Sequence, residues 1–243
     1  MLNKVSLSKE EQMNCLSYSR PEQIAVYNTQ KLKPQEELIF AQYFKNKPRL
    51  KILDVGCGEG RTSIHLHNLG HEVIAIDLVP EMIVAAKNKY PQIDFRVMNA
   101  CVLDFNDQIF DVVLFSFNGL DCIYPEDKRW QAVAEIRRVL KKNGLYIMSS
   151  HNSIVWPNDK YKFFWWFINI FTGKIFTPFR LEYKGLKHGI KFIYFVRRPS
   201  RQIKDLSKRG FELVEVFTKK IGRQNWFFID LFEEWPYFIL KKK

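Results

Sequence analysis

Three glycines at alternate positions, Gly56, Gly58 and Gly60, follow a short apolar run in Asp54-Val55-Gly56-Cys57-Gly58-Glu59-Gly60. The run before them, Lys51 to Val55 (KILDV), has the composition of a buried strand, and Thr62 to Leu69 after them has a helical pattern. A strand, a glycine turn and a helix in that order fix a βα unit. Glycine permits backbone conformations that a side chain forbids and lets the main chain pass close to another group, so a ligand is expected on this loop. The dinucleotide fingerprint Gly-x-Gly-x-x-Gly needs glycine where Arg61 stands, and a P-loop needs a Gly-Lys-Ser/Thr ending that is absent. Both phosphate readings lose ground.

From Leu50 onward, apolar runs alternate with helical stretches, the mark of βαβ units and a parallel sheet. Strands are predicted at Glu72 to Asp77, Ile93 to Met98, Phe110 to Phe117 and Leu145 to Ser149, with helices at Pro80 to Lys89 and Pro125 to Leu140. Phe110 to Phe117 is almost wholly apolar, as a strand covered on both faces must be. Asn143-Gly144 reads as a helix stop. The expected fold is α/β: a doubly wound, mostly parallel seven-stranded sheet with helices on both faces. In 243 residues, 47% apolar and 26% charged, this makes one globular domain. Within it we distinguish an N-terminal helical cap (1–46), a ligand-binding core (50–151), an insertion after the fifth strand (152–199), and the last helix and strands (200–243). A strand at Lys191 to Val196 is predicted within the insertion, and a helix at Ser200 to Lys208 with strands at Phe211 to Phe217 and near Tyr237 to Leu240 in the last part.

Several residues carry chemistry at the carboxyl edge of such a sheet, where ligands bind. Asp54 ends the first strand, and a carboxylate there suits a ligand with an ammonium and a sulfonium better than one with a pyrophosphate. Asp77 ends the second strand and can accept hydrogen bonds from both hydroxyls of a ribose, or begin the next helix as a turn aspartate. Leu78 beside it can press on a flat base. His151 emerges at the same edge, where an imidazole that titrates near neutrality can act as a base or be held structurally. His65, His67 and His71 fall on or just after the first helix of the core and read as surface or helix-end residues. Cys122 reads as a packed thiol.

The segment as a whole resembles the class I S-adenosylmethionine-dependent methyltransferases, in particular bacterial enzymes acting on metabolites or glycans. ILDVGCGEGRT is similar to the family's first motif, VIAIDL to its second, RVMNAC to its third and FDVVLFSFNGL to its fourth, with AEIRRVLKKNG as the helix and turn that follow. The third motif usually carries Asp-Ala, and here Asn99-Ala100 stands instead. The resemblance implies S-adenosylmethionine as cofactor, with Gly56 and Phe117 at its methionine part, Asp77 at the ribose, and Asn99 with Ala100 at the adenine. It also implies methyl transfer without a metal. The Asn/Asp-Pro-Pro-Tyr/Phe and Pro-Cys signatures of base methylation are absent after the fourth strand.

Charge and aromatic content bear on the partner. Residues 1–150 carry 19 Lys and Arg against 18 Asp and Glu, and residues 151–243 carry 19 against 8, so the net charge of +12 belongs to the last two fifths. That asymmetry suits an anionic partner. Tyr161 to Arg180 packs nine aromatics into twenty residues, as a lid over the acceptor or as a segment in peripheral contact with a membrane. The leading reading is O-methylation of a small molecule or glycan, with the insertion selecting it and His151 as base. An RNA acceptor held by the basic part is one alternative, and a non-catalytic partner that binds S-adenosylmethionine is another. Four scattered cysteines, no secretory leader and no apolar run long enough to cross a bilayer point to the cytoplasm.

Overall fold

The computed structural model describes residues 7–28, 31–152, 179–184, 191–219 and 225–243. Three helices come first: α1 (Lys9–Tyr18), α2 (Pro21–Asn28) and α3 (Pro34–Tyr43). The core then runs β1 (Lys51–Val55), α4 (Arg61–Asn68), β2 (Glu72–Asp77), α5 (Pro80–Lys89), β3 (Asp94–Val97), β4 (Phe110–Phe115), a short 3-10 turn at Gly119–Cys122, α6 (Glu126–Val139) and β5 (Leu140–Ser149). After it come β6 (Phe179–Lys184), β7 (Lys191–Val196), α7 (Pro199–Ser207), β8 (Phe211–Phe217), α8 (Trp226–Phe232) and β9 (Tyr237–Lys242).

Seven strands form one sheet in the order β3-β2-β1-β4-β5-β9-β8, and β6 pairs with β7 in a separate antiparallel ribbon. Pairing is parallel from β3 through β5, and β9 runs antiparallel to both neighbours. Alternate residues feed two cores, as the pleat requires. Leu53, Val55, Ile74, Ile76, Val113, Met148 and Leu240 meet Ala132, Val133 and Ile136 of α6 and Leu206 of α7. Ile52, Val73, Ala75, Val112, Ile147 and Ile239 meet Ile39 and Phe40 of α3, Leu66 of α4 and Ile83 of α5. Strand order reverses between β1 and β4, which opens a crevice at their carboxyl ends.

The doubly wound, mostly parallel sheet is as the sequence predicts, with differences at particular elements. β4 stops at Phe115 because Phe117 and Asn118 adopt positive φ (53° and 61°), which no strand continues. β5 begins at Leu140, which already pairs with Phe110; Asn143 (φ 64°) and Gly144 make an excursion inside the strand. β6 and α8 were not predicted. His71 is buried, not a surface residue: its Nε2 lies 3.1 Å from the Phe44 carbonyl and its Nδ1 accepts from the Leu50 N–H at 3.3 Å. Most of the aromatic stretch Tyr161 to Arg180 lies outside the described residues. Among those described, no helix is long and apolar enough to cross a membrane.

Candidate active site

The glycine turn after β1 is held from both sides. Gly56 (φ 63°) and Gly60 (φ 82°) lie in the left-handed region, and a Cβ on them would stand 2.9 Å from the Phe115 ring and 2.6 Å from the Phe95 ring. Gly58, also left-handed, has open space where its Cβ would be. The Gly58 N–H donates to Asp77 Oδ2 at 2.8 Å, and the Val79 N–H donates to Oδ1 at 2.9 Å. One carboxylate thus ties the loop to the end of β2 and to the turn that leads into α5. Burial pushes Asp77 above the usual carboxylate range, and the donated N–H bonds of Val79, Gly58 and Leu78 oppose it.

Seven of the predicted residues line one cavity: Gly56, Gly58, Asp77, Leu78, Asn99, Ala100 and Phe117. Asn99 Oδ1 already accepts the Cys101 N–H at 2.9 Å, so the amide oxygen expected to face an adenine is partly engaged. Asp54 and Gly60 stand behind the loop. Asp54 is 1% exposed, and its Oδ2 accepts from Thr62 Oγ1 (2.7 Å) and Ser63 Oγ (2.6 Å), binding β1 to the first turn of α4. The contact expected between Asp54 and a ligand's cations is therefore corrected to a buried tie. Its Oδ1 is buried without a partner among the described residues, and burial pushes the carboxyl up to about 6.

The N-terminal helices supply a wall of this cavity that sequence reasoning missed. Asn14, Cys15 and Tyr18 of α1 and Tyr27 of α2 line it. Asn14 docks α1 on β7: its Oδ1 accepts the Ile193 N–H and its Nδ2 donates to the Ile193 carbonyl, both at 2.8 Å. Glu36, 1% exposed, accepts from both Arg61 guanidinium nitrogens, the Ser116 hydroxyl, the Tyr237 hydroxyl (2.8 Å) and the Lys33 N–H (2.7 Å). The start of α1 carries a legible signal, Ser8-x-x-Glu11, which forms a capping box. Nothing in the sequence marks Glu36 as the point where α3, α4, β4 and β9 converge.

A second constellation sits beside Phe117. Asp121, wholly buried, accepts the His151 N–H at 2.7 Å, lies 2.9 Å from His151 Nδ1, and pairs with buried Arg129 at 3.0 Å. Nδ1 carrying its proton toward Asp121 leaves Nε2 as an acceptor, and Asn118 Nδ2 lies 3.4 Å from it. His151 is partly exposed (21%), while burial pushes the Cys122 thiol up to about 12, which keeps it protonated. Among the described residues no cluster of three or more His, Cys, Asp or Glu is placed to hold a metal.

Residues 52–144 match a family described as methyltransferase domain. Curated relatives include demethylmenaquinone methyltransferases from Renibacterium salmoninarum, 33% identical over 42% of this chain and 41% of that protein, and from Lysinibacillus sphaericus, 32% identical over 58% and 62%. This chain thus spans between two fifths and two thirds of the length of these two relatives. Solved structures share the fold. One is an S-adenosylmethionine-dependent methyltransferase from Methanosarcina mazei (TM-score 0.66, 20% identity, 88% of this chain and 99% of that one). Another is a 1,6-didemethyltoxoflavin-N1-methyltransferase from Burkholderia thailandensis with bound S-adenosylhomocysteine (0.62, 17%, 99% and 93%). The match to a methyltransferase domain thus falls on the glycine turn, β2 and β4, and the solved structures share the fold around it.

The residues present fit S-adenosylmethionine, the cofactor that a methyltransferase domain implies. The Asp77 oxygens accept backbone N–H groups and, with about four lone-pair sites between them, retain capacity for a ribose hydroxyl. Leu78 and Met98 offer apolar walls to a flat base. The open space over Gly58 is room that a side chain would fill, and the orphaned Asp54 Oδ1 lies just behind the same turn.

Proposed function

We propose that the chain methylates an oxygen of a small molecule or sugar, with His151 as the base. The observation that carries this reading is the His151–Asp121 contact at 2.9 Å, next to the Phe117–Asn118 turn that borders the cofactor cavity. S-adenosylmethionine, when bound, supplies a methyl group on a positively charged sulfur that leaves as a neutral thioether. The protein's part is then positioning and proton removal. Asp77 holds the ribose, Asn99 and Ala100 the adenine, and Gly56 and Phe117 the methionine end. Asp121 fixes the imidazole so that Nε2 can take the proton that a hydroxyl loses as its oxygen gains the methyl.

Similar proteins support a small acceptor: two are demethylmenaquinone methyltransferases, and a structural neighbour holds 1,6-didemethyltoxoflavin. For an RNA acceptor, three arginines of the basic C-terminal part are already engaged within the protein. Arg197 pairs with Glu126 and Asp205, Arg198 with Asp230, and Arg209 packs on the Trp130 ring.

The test is His151→Ala under saturating cofactor. The turnover number should fall by roughly 10² to 10⁴ while S-adenosylhomocysteine binds as before. Near-normal turnover would remove the base role and point to a nitrogen or carboxylate acceptor. Binding of S-adenosylhomocysteine with no methyl transfer to any acceptor would favour a non-catalytic partner.

A further inference from the structure

Phe117 lines two cavities. One holds the glycine turn and Asp77, and the other lies between the start of α3, the end of β5 and the approach to β9. Lys33, Asn118, Ser149, Lys219 and Trp235 line the second, with Pro34, Gln35 and Tyr237.

Three observations in this second cavity point to a ligand. Asn118 is 4% exposed and its Oδ1 has no hydrogen-bond partner among the described residues. A buried amide oxygen without a donor is costly, and its own Nδ2 is turned to His151 Nε2 at 3.4 Å. Second, Lys33 has no carboxylate at ion-pair distance among the described residues, and its ammonium lies 4.8 Å from the centre of the Phe117 ring. Burial, then the cations Arg61 and Lys219, lower its affinity for the proton, and Glu36 opposes them. Lys219 stands 5.1 Å from the Trp235 ring centre, and its ammonium has a half-exposed partner, Glu234, at 3.2 Å. Pairs of that kind are weak and readily exchanged. Third, the Phe117 and Trp235 rings lie 6.2 Å apart and tilted, and Trp235 is 6.3 Å from the His151 ring. The cations, the aromatic floor and the orphaned acceptor line one cavity with Phe117, the imidazole stands next to its Asn118 and Trp235, and Phe117 also lines the cofactor cavity.

We propose that this second cavity is the acceptor pocket and that it takes a small anion with an apolar ring, its carboxylate or phosphate between Lys33 and Lys219, its ring on Phe117 and Trp235, and its hydroxyl at Asn118 Oδ1 and His151 Nε2. This rests on the methyltransferase reading and adds the substrate's charge to it. The hydroxyl's one hydrogen faces the buried Asn118 oxygen on binding and turns to His151 Nε2, which takes it as the hydroxyl oxygen bonds to the methyl carbon and the donor sulfur leaves with the C–S electron pair as a neutral thioether. The single ring of Phe117 separates donor from acceptor, so the two meet at its edge.

The experiment is calorimetry on the full chain saturated with S-adenosylhomocysteine, titrated with 4-hydroxybenzoate, with phenyl phosphate and with neutral benzyl alcohol. At least one anion should bind about tenfold or more tightly than the alcohol, and which one does so separates carboxylate from phosphate recognition. Lys33→Gln and Lys219→Gln, in protein that still binds S-adenosylhomocysteine, should each weaken that anion by about threefold or more. The proposal is overturned if the alcohol binds as well as the anions, if neither anion binds at about 10 mM, or if anion binding survives both substitutions. Failure to bind S-adenosylhomocysteine at all would sink the methyltransferase reading instead.

Discussion

Asp121 holds His151 and Arg129 with one buried carboxylate, at 2.9 Å and 3.0 Å. Burial alone would push Asp121 up, yet the Arg129 charge and the His151 hydrogen bonds hold it below the usual carboxylate range. A depressed acid stabilises the fold above its ordinary titration range and loses that contribution as pH falls through the lower, folded value. The loss is therefore confined to below about pH 4. Asp121→Asn leaves Arg129 buried without a counter-charge and should cost about 3 to 5 kcal/mol in urea unfolding at neutral pH. It should also remove the acid-sensitive segment below pH 4. A variant as stable as wild type would show that the pair contributes nothing.

Asp77 ties the glycine turn to the end of β2, and the proposed function also gives it the ribose. Asp77→Ala removes the acceptors of the Gly58 and Val79 N–H groups together with the ribose contacts. Affinity for S-adenosylhomocysteine should fall by about tenfold or more, at roughly 1.5 to 3 kcal/mol per charge-assisted hydrogen bond. Asp77→Asn keeps one acceptor oxygen and should fall between the two. Calorimetry with unchanged affinity in the alanine variant would remove the ribose role.

How much of this was legible follows from what each feature depends on. β1, β2, α5, β7 and β8 have the bounds read from the sequence because apolar periodicity and flanking glycine or proline fix them locally. Gly56, Gly58 and Asp77 were legible because a loop that admits a ligand needs those residue types at that spacing. Asp54 was read as a ligand contact because its position at a strand end says nothing of Thr62 and Ser63 folding back to it. Glu36, Asn14 and Asp121 were not legible at all. Their partners, Tyr237, Ile193 and His151, lie 201, 179 and 30 residues away, and only the fold brings them together. The lid or membrane contact expected of Tyr161 to Arg180 falls mostly on residues outside those described.

Asp54 gives a pH dependence of opposite sign to Asp121. Burial raises its carboxyl from 3.8 to about 6, against the hydroxyls of Ser63 and Thr62. The folded state thus holds a proton that the unfolded chain releases earlier, so this contribution is complete below about pH 4 and is lost as pH rises through about 6. The difference in unfolding free energy between wild type and Asp54→Asn should shift by about 3 kcal/mol against wild type from pH 4 to pH 7. Asparagine keeps an acceptor for Thr62 and Ser63 without the charge. Parallel pH profiles for the two proteins would show that Asp54 ionises normally in the fold.

Glu36 should couple the N-terminal helices to the cofactor loop. Its carboxylate is almost wholly buried, and burial alone would raise it; the Arg61 bonds and charge, with the Lys33 N–H and the Ser116 hydroxyl, hold it below the usual range. Glu36→Gln keeps the size of the side chain but leaves Arg61, which is only 12% exposed, without its counter-charge. Breaking one side of such a buried pair costs about 3 to 5 kcal/mol, whereas removing both sides costs less, because no charge remains stranded. Arg61→Met together with Glu36→Gln should therefore be more stable than the sum of the single effects, with a coupling of about 0.5 to 3 kcal/mol in denaturant unfolding. Arg61 also lies 5.6 Å from the Phe117 ring centre, so both single variants should disturb the ring between the two cavities. Strict additivity in the double-mutant cycle would mean that Glu36 is held by Ser116 and Tyr237 alone, and that α3 is seated by its apolar face without the ion pair.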